Sequence, residues 1–336
     1  IRIERTRSQL LVLRDGQVET SADDTETGVG ARIVSEGSLG YASTVEMRPA
    51  AAAQMVHRAV EMARATAPSV AAPVELADEP TYGRVHWVAP YVVDPTTVSL
   101  AEKRALLEDW SARLLSHGGV DHVTAALLAV AEDKYYANRA GTVTVQRRVR
   151  VRPVVEAFAV DTADGTFESM RTVAPPAGRG WEYVTGDGWD WDAELEVRPS
   201  LLEEKARAPS VEAGLYDLVI DPTNLWLTIH ESVGHATELD RALGYEAAYA
   251  GTSFATFDQL GALRYGSPAM QVTGDRTIEH GLASIGYDDE GVAAQEFDIV
   301  RDGVLVGYQL DRRMAAENGL GRSNGCAFAS AARFTP

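Results

Sequence analysis

The sequence predicts an α+β fold of two domains, with mostly antiparallel sheets and a few helices. Apolar and polar side chains alternate over residues 2–47 and again over residues 120–160, and two segments with helical spacing of apolar residues lie between these stretches. Strands, then helices, then strands are typical of an α+β domain and not of a parallel sheet with alternating crossover helices. We place the first domain at residues 1–200 and the second at residues 201–336.

The elements of the first domain can be placed from local signals. We expect a strand meander over residues 2–47, an Ala-rich helix after Pro49, a second helix capped by Ser99, and three strands over residues 120–160. No glycine-rich phosphate loop precedes a helix, so a nucleotide site is not indicated.

Residues 161–200 are rich in glycine and proline and read as loop, followed by a short helix over residues 201–208. The aromatic side chains in the loop have two possible roles, an aromatic lid over a groove or ordinary packing between domains. We favour packing. They are Trp181, Tyr183, Trp189 and Trp191.

Composition excludes several classes of partner. The chain has 336 residues, 45% of them hydrophobic, and a formal net charge of −18. Nucleic acids and anionic membranes are bound through basic surfaces, so neither is an expected partner. Cys326 is the only cysteine, which excludes an internal disulfide framework. With no apolar run of transmembrane length and no signal peptide at the start, we expect a soluble cytoplasmic protein whose two ends look cut.

Residues 216–245 carry the most informative pattern. Alternating apolar residues over 216–220 predict a strand end, and Asp221 and Pro222 then form a helix start, with a side-chain cap and a proline at the first helical position. Gly244 marks the end of the helix. One face of this helix is predicted to be buried, since apolar residues recur there at helical spacing: Leu225, Trp226, Ile229, Val233 and Ala236.

His230, Glu231 and His235 on this helix are candidates for a metal site. Imidazoles are common zinc ligands, and a neighbouring carboxylate can take the proton from a zinc-activated water. Histidines five residues apart, however, lie roughly 140° out of line on a regular α-helix. Both can reach one ion only if the helix loosens, and Gly234 is where we expect it to do so. The alternative has His230 in the core and Glu231 in solvent.

An acidic cluster, Asp288, Asp289 and Glu290 beside Gly291, is open to two interpretations. It lacks the spaced oxygen ligands of a calcium loop, so we favour an acidic turn over a cation site. A glycosidase built on Asp288 and Glu290 would need two such carboxylates, but no sugar-stacking pattern accompanies them.

Several motifs together resemble the TldD/PmbA family. They are HESVGHATELD at 230–240, Gly-Thr-Ser at 251–253, DDEG at 288–291, DGVLVGYQLDR at 302–312 and, for the first domain, the stretch from 13 to 44. The HExxxH form is similar to that of the TldD-like metallopeptidase members, whereas their PmbA-like partners lack it.

The resemblance implies a zinc peptidase acting on unfolded or leader peptides, with His230 and His235 as ligands and Glu231 as general base. It also implies a heterodimer with a metal-free PmbA-like relative, although a homodimer stays open. The family's third ligand is a cysteine beyond the end of this chain. Three residues within this chain are candidate substitutes for it: Glu238, Asp240 and Cys326. Cys326 lies in a segment that does not carry the family's ligand. The alternative function is a non-catalytic peptide-binding or scaffold subunit of such a complex.

Overall fold

The computed structural model describes residues 1–160, 165 and 167–336, and it shows a mixed α+β fold with mostly antiparallel sheets. The strands are β1 (Arg2–Arg14), β2 (Gln17–Ser35), β3 (Ser38–Thr44), β4 (Arg84–Val88), β5 (His122–Ala137), β6 (Val143–Val160), β7 (Phe167–Arg171), β8 (Val272–Asp275), β9 (Glu296–Arg301) and β10 (Val304–Leu305). The helices are α1 (Pro49–Thr66), α2 (Leu100–Leu115), α3 (Trp181–Val184), α4 (Trp191–Arg207), α5 (Pro222–Ile229), α6 (Leu239–Ala242) and α7 (Arg312–Glu317).

A seven-stranded sheet forms the first half of the molecule. Its strand order is β3-β2-β1-β5-β6-β4, and β7 pairs with β6. All these pairings are antiparallel except that of β4 with β6, which is parallel. The second sheet, in the order β10-β9-β8, belongs to the C-terminal half, and a turn at Asp302–Gly303 joins β9 to β10.

Odd-numbered residues of β5 and β6 form the apolar face of the large sheet. Leu127, Val151 and their neighbours on this face are buried beneath α2, α3 and α4. Trp110 of α2 stacks on Trp191 of α4 with ring centroids 4.7 Å apart, and Tyr183 meets Trp191 edge-on at 6.0 Å. Trp181, Tyr183 and Trp191 therefore pack within the core of the first half, so for these residues both the lid and the favoured packing between domains are wrong.

The even-numbered residues of the same strands lie on the opposite face of the sheet. Near the end of β5 and the start of β6, this opposite face is charged and also buried. Glu132 of β5 accepts two hydrogen bonds from Arg148 of β6, at 2.9 and 3.1 Å, and a third from Arg150 at 3.1 Å. On β1, Glu4 lies 3.0 Å from Arg2 and 3.1 Å from Lys134. Charges on this face are paired because isolated buried charges are costly.

The acidic segment at 288–291 covers that charged face. Asp289 pairs with Arg2 at 2.6 Å and with Lys134 at 2.8 Å, and Glu290 pairs with Arg32. Asp288 is 2% exposed and accepts backbone N–H groups, including that of Ala327 at 3.1 Å. The cluster is a turn, as favoured, but a buried one whose carboxylates join the two halves of the chain.

Several expectations are corrected. Residues 120–160 form two long strands, β5 and β6, and not three, because the alternation continues unbroken through each. The helix expected at 201–208 begins at Trp191, where Asp190 caps it. Residues 216–220 form no strand, and most of their side chains are exposed. Part of the predicted 161–200 loop, residues 161–164 and 166, lies outside the described residues.

No helix in the described part of the chain is both long enough and apolar enough to cross a membrane. The boundary between the two predicted domains, at residue 200, stays a prediction.

The buried turn makes stability depend on pH. Burial raises the pKa of Asp288 to about 7, against backbone hydrogen bonds that lower it. The unfolded carboxyl titrates near 4, so between these values the folded chain holds a proton that the unfolded chain has lost. This contribution to stability therefore falls as pH rises towards 7.

We expect the free energy of unfolding of the wild type to fall by roughly 2 kcal/mol more than that of Asp288→Asn between about pH 5.5 and pH 7.5. Urea unfolding at both pH values measures this, with the exposed Asp192→Asn as control. Parallel pH dependences of wild type and Asp288→Asn would contradict it.

Candidate metal centre

The segment around His230 is a helix with a widened turn. After α5 the chain forms a π turn over His230–Gly234 and then a 3-10 turn over His235–Thr237. The His235 N–H donates to the His230 carbonyl, five residues earlier, and not to the residue four back as in an α-helix. The predicted loosening of the helix is thus present.

The extra residue in this turn brings the two histidines together. Their ring centroids are 4.3 Å apart, although a regular α-helix would place the two side chains on different faces. Glu231 lies alongside, with one carboxylate oxygen 3.9 Å from His230 Nε2. One potential ligand atom from each of His230, Glu231 and His235 lies within 4.8 Å of the others.

Polar groups from elsewhere satisfy the carbonyls around the widened turn. The Gln309 amide donates to the Gly234 carbonyl at 2.6 Å, the Thr237 hydroxyl to the Val233 carbonyl at 2.8 Å, and the Tyr265 hydroxyl to the Ser232 carbonyl at 2.5 Å. A π turn disrupts the regular ladder of an α-helix, so such outside donors stabilise it. Gln309 was missed by sequence reasoning, although it lies within the DGVLVGYQLDR motif.

Gly234 is not required for steric reasons. A Cβ there would meet the Ile229 carbonyl at 3.8 Å and His230 Nδ1 at 4.0 Å, which are ordinary van der Waals distances. Its φ of −50° is open to any residue. Gly234 therefore provides backbone freedom in the π turn and not space.

The carboxylate of Glu238 orients His235. It lies 3.1 Å from His235 Nδ1, which leaves Nε2 free to face an ion. A carboxylate on the second ring nitrogen is the usual partner of a metal-binding histidine, because it fixes the tautomer and the ring orientation. Arg241 lies 3.5 Å from Glu238 and also contacts Glu246. Burial raises the pKa of Glu238, and the hydrogen bond to His235 opposes that shift.

The other candidates for a further ligand lie apart from this centre. In the part of the chain that the structure describes, His230, Glu231 and His235 are the one group of potential ligands that converges, so neither Asp240 nor Cys326 joins it. Cys326 lies at the junction of the two halves, where burial raises the pKa of its thiol to about 11. The assignment of ligands and base stays a prediction.

The centre is open to solvent, and so is the helix before it. The side chain of His230 is 50% exposed and that of Glu231 64%. Of the predicted buried face, Val233 and Ala236 are buried, but Trp226 is 56% and Ile229 45% exposed. That part of the prediction is wrong, because the described residues provide no surface that covers α5.

Comparison with family models identifies the chain. A model described as the PmbA/TldA metallopeptidase C-terminal domain matches residues 213–335, and one described as PmbA/TldA metallopeptidase domain 1 matches residues 1–63. Together these ranges cover more than half of the chain. The chain belongs to the TldD/PmbA family.

Relatives and solved structures agree with this membership. A metalloprotease of Synechocystis is 27% identical over 330 residues, which cover 95% of this chain and 65% of the relative. A crystal structure from Thermotoga maritima superposes with a TM-score of 0.74 at 17% identity, covering 99% of this chain and 71% of the other. That of TldE from Thermococcus kodakarensis gives 0.58 at 15% identity, covering 96% and 69%.

The two structural likenesses show the fold, and the family model and relative show a metallopeptidase family. The chain spans about two thirds of the length of the Synechocystis relative.

If Glu238 fixes His235, Glu238→Gln should lower the affinity of the candidate centre for added zinc by about 10- to 100-fold while the fold is kept. Competition with a chromophoric chelator measures that affinity. Glu246→Gln, which alters the same Arg241 network without touching His235, is the matched control. Equal affinities in the two variants would rule out the orienting role.

Proposed function

We propose that this chain provides the metal-binding and catalytic helix of a cytoplasmic metallopeptidase that hydrolyses unfolded or leader peptides. The observation that carries the proposal is the π turn at 230–234, which joins two histidines that helical geometry would otherwise separate. Family membership supports the same conclusion. Solvent exposure of the centre leaves access for an extended peptide.

The donor set fits a divalent ion, and zinc is our first choice. Two imidazoles and a nearby carboxylate are typical of zinc in hydrolytic sites. His230 and His235 would hold the ion, the latter through Nε2, since Glu238 occupies Nδ1. A catalytic zinc site has three protein ligands, so we propose that one further ligand completes it, as the family resemblance implies.

The catalytic steps fall to Glu231. A zinc ion held by His230 and His235 would supply Lewis-acid chemistry, for the scissile carbonyl and for the attacking water. The Glu231 carboxylate accepts the proton of the attacking water and then donates it to the leaving amine. Its side chain is 64% exposed, so a peptide can approach it from solvent. Glu231 therefore acts as general base and then as general acid.

Metal content and turnover separate the roles of these residues. We expect Glu231→Gln to keep its zinc per chain, measured by elemental analysis, and to lose peptide cleavage by about 10²- to 10⁴-fold. His235→Ala should lose both. Glu246→Gln serves as the control for each measurement. Cleavage by Glu231→Gln at the wild-type rate would remove the catalytic assignment and leave the peptide-binding or scaffold subunit.

We also propose that the active form pairs with a metal-free relative, as the family resemblance implies. The apolar side chains left exposed beside the centre support a covering polypeptide: Leu218, Val219, Trp226, Leu227 and Ile229. Exposed apolar clusters of this kind mark interaction surfaces. A homodimer through the same surface is the competing outcome.

Light scattering on mixtures of the two proteins tests the pairing. We expect a one-to-one complex whose affinity falls by about tenfold or more in Trp226→Ser, because large aromatic side chains dominate interface energetics. Met47→Ser, at a position that is also exposed, is the control. A homodimer of this chain, or equal affinity in both variants, would contradict the proposal.

A further inference from the structure

A cavity of about 310 Å³ lies between the large sheet and the loop at 276–286. Its walls come from β4, β6, Gly178 and that loop. Two glycines permit the close approach of these segments. A Cβ on Gly178 would lie 2.8 Å from the Gly281 carbonyl, and one on Gly286 would lie 2.5 Å from the Trp87 ring.

The wall of this cavity is strongly basic, although the chain as a whole is acidic. Arg148, Arg150 and Arg276 line it, together with His280. The one carboxylate in the lining is Glu279, whose side chain is 75% exposed and lies 3.6 Å from His280 Nε2. A basic cavity in a chain with a net charge of −18 calls for a specific explanation.

The acids near this wall are already engaged. Glu132 accepts two hydrogen bonds from Arg148 and one, at 3.1 Å, from Arg150. The Nε of Arg150 is buried without a hydrogen-bond partner. Among the described residues, no carboxylate lies within 4 Å of Arg276. Its guanidinium donates to two carbonyls, those of Gly325 at 2.6 Å and Ala283 at 3.3 Å.

The two carboxylates whose charges act on Arg276 have other partners. Asp289 pairs with Arg2 and Lys134, and Asp288 accepts backbone N–H groups. Burial lowers the pKa of both Arg276 and Arg150, which reflects incomplete compensation of their charge. Arg150 and Arg276, which both line the cavity, therefore carry more positive charge than the neighbouring carboxylates balance.

We propose that this cavity binds a small organic oxyanion, a carboxylate or a phosphate monoester, between Arg150 and Arg276. Guanidinium groups favour such anions because their parallel N–H donors match the two oxygens. Apolar side chains elsewhere in the wall suit a flat or aliphatic body: Trp87, Pro90, Ile278, Leu282 and Ile285. The site is independent of the proposed peptidase chemistry.

Isothermal titration at constant ionic strength with inorganic phosphate, benzoate and benzamide tests this site. Benzamide has the shape of benzoate without its charge. We expect saturable binding of phosphate or benzoate and none of benzamide. Preference for phosphate identifies a phosphate monoester as the natural ligand, and preference for benzoate identifies a carboxylate.

Arg276→Gln should weaken that binding by about tenfold or more, because a charge-assisted contact is lost. Arg276 also donates hydrogen bonds to two loop carbonyls, so a second variant, Arg150→Gln, tests the site without disturbing those bonds. Loss of the Arg150 guanidinium leaves Glu132 paired with Arg148. The exposed Arg301→Gln is the control. Absence of saturable binding, equal binding of benzamide, or unchanged affinity in both cavity variants would overturn the proposal.

Discussion

Burial of charge on one face of the large sheet is the constraint on which the rest of the structure depends. The turn at 288–291 supplies carboxylates to Arg2, Lys134 and Arg32, and Glu4 of the sheet also pairs with Arg2 and Lys134. Such pairs add little net stability, but the loss of one partner is strongly destabilising. The pairing therefore specifies how the C-terminal half docks more than how tightly it does so. The same turn also contacts the segment that contains Gln309. Glu290 accepts a hydrogen bond at 2.8 Å from the backbone N–H of Arg312, three residues after Gln309.

The candidate metal centre reflects a conflict between helix geometry and ligand geometry. Five-residue spacing of the histidines is incompatible with a regular α-helix, and the π turn removes the conflict at the cost of backbone hydrogen bonds. Gln309 and Tyr265 compensate by donating to the carbonyls of Gly234 and Ser232. Both donors come from the C-terminal half of the chain, so the geometry of the histidines depends on the tertiary fold around the helix and not on the helix sequence alone.

Local signals in the sequence were enough for the α+β class, the strand meander, the capped helices and the need for a looser turn at His235. Contacts distant in sequence were not accessible from it. The alternation in residues 120–160 gave two faces but could not show that both are buried, one by helices and one by the segment at 288–291. Helical spacing also could not reveal that Trp226 is exposed. An apolar stripe shows which face of a helix can be buried, but not whether another part of the structure packs against that face.

A common principle relates the charged face and the basic cavity. On the sheet, Arg148 is fully paired with Glu132, whereas Arg150 shares that carboxylate and Arg276 in the loop at 276–286 has no carboxylate partner among the described residues, and both line the cavity. A buried polar network is stable when every member is satisfied, and a partly satisfied network is the costly case. A bound anion would complete such a network by pairing with its unsatisfied donors. This accounts for the position of the surplus positive charge, which lies at the cavity and not at the tightly packed junction around Asp289.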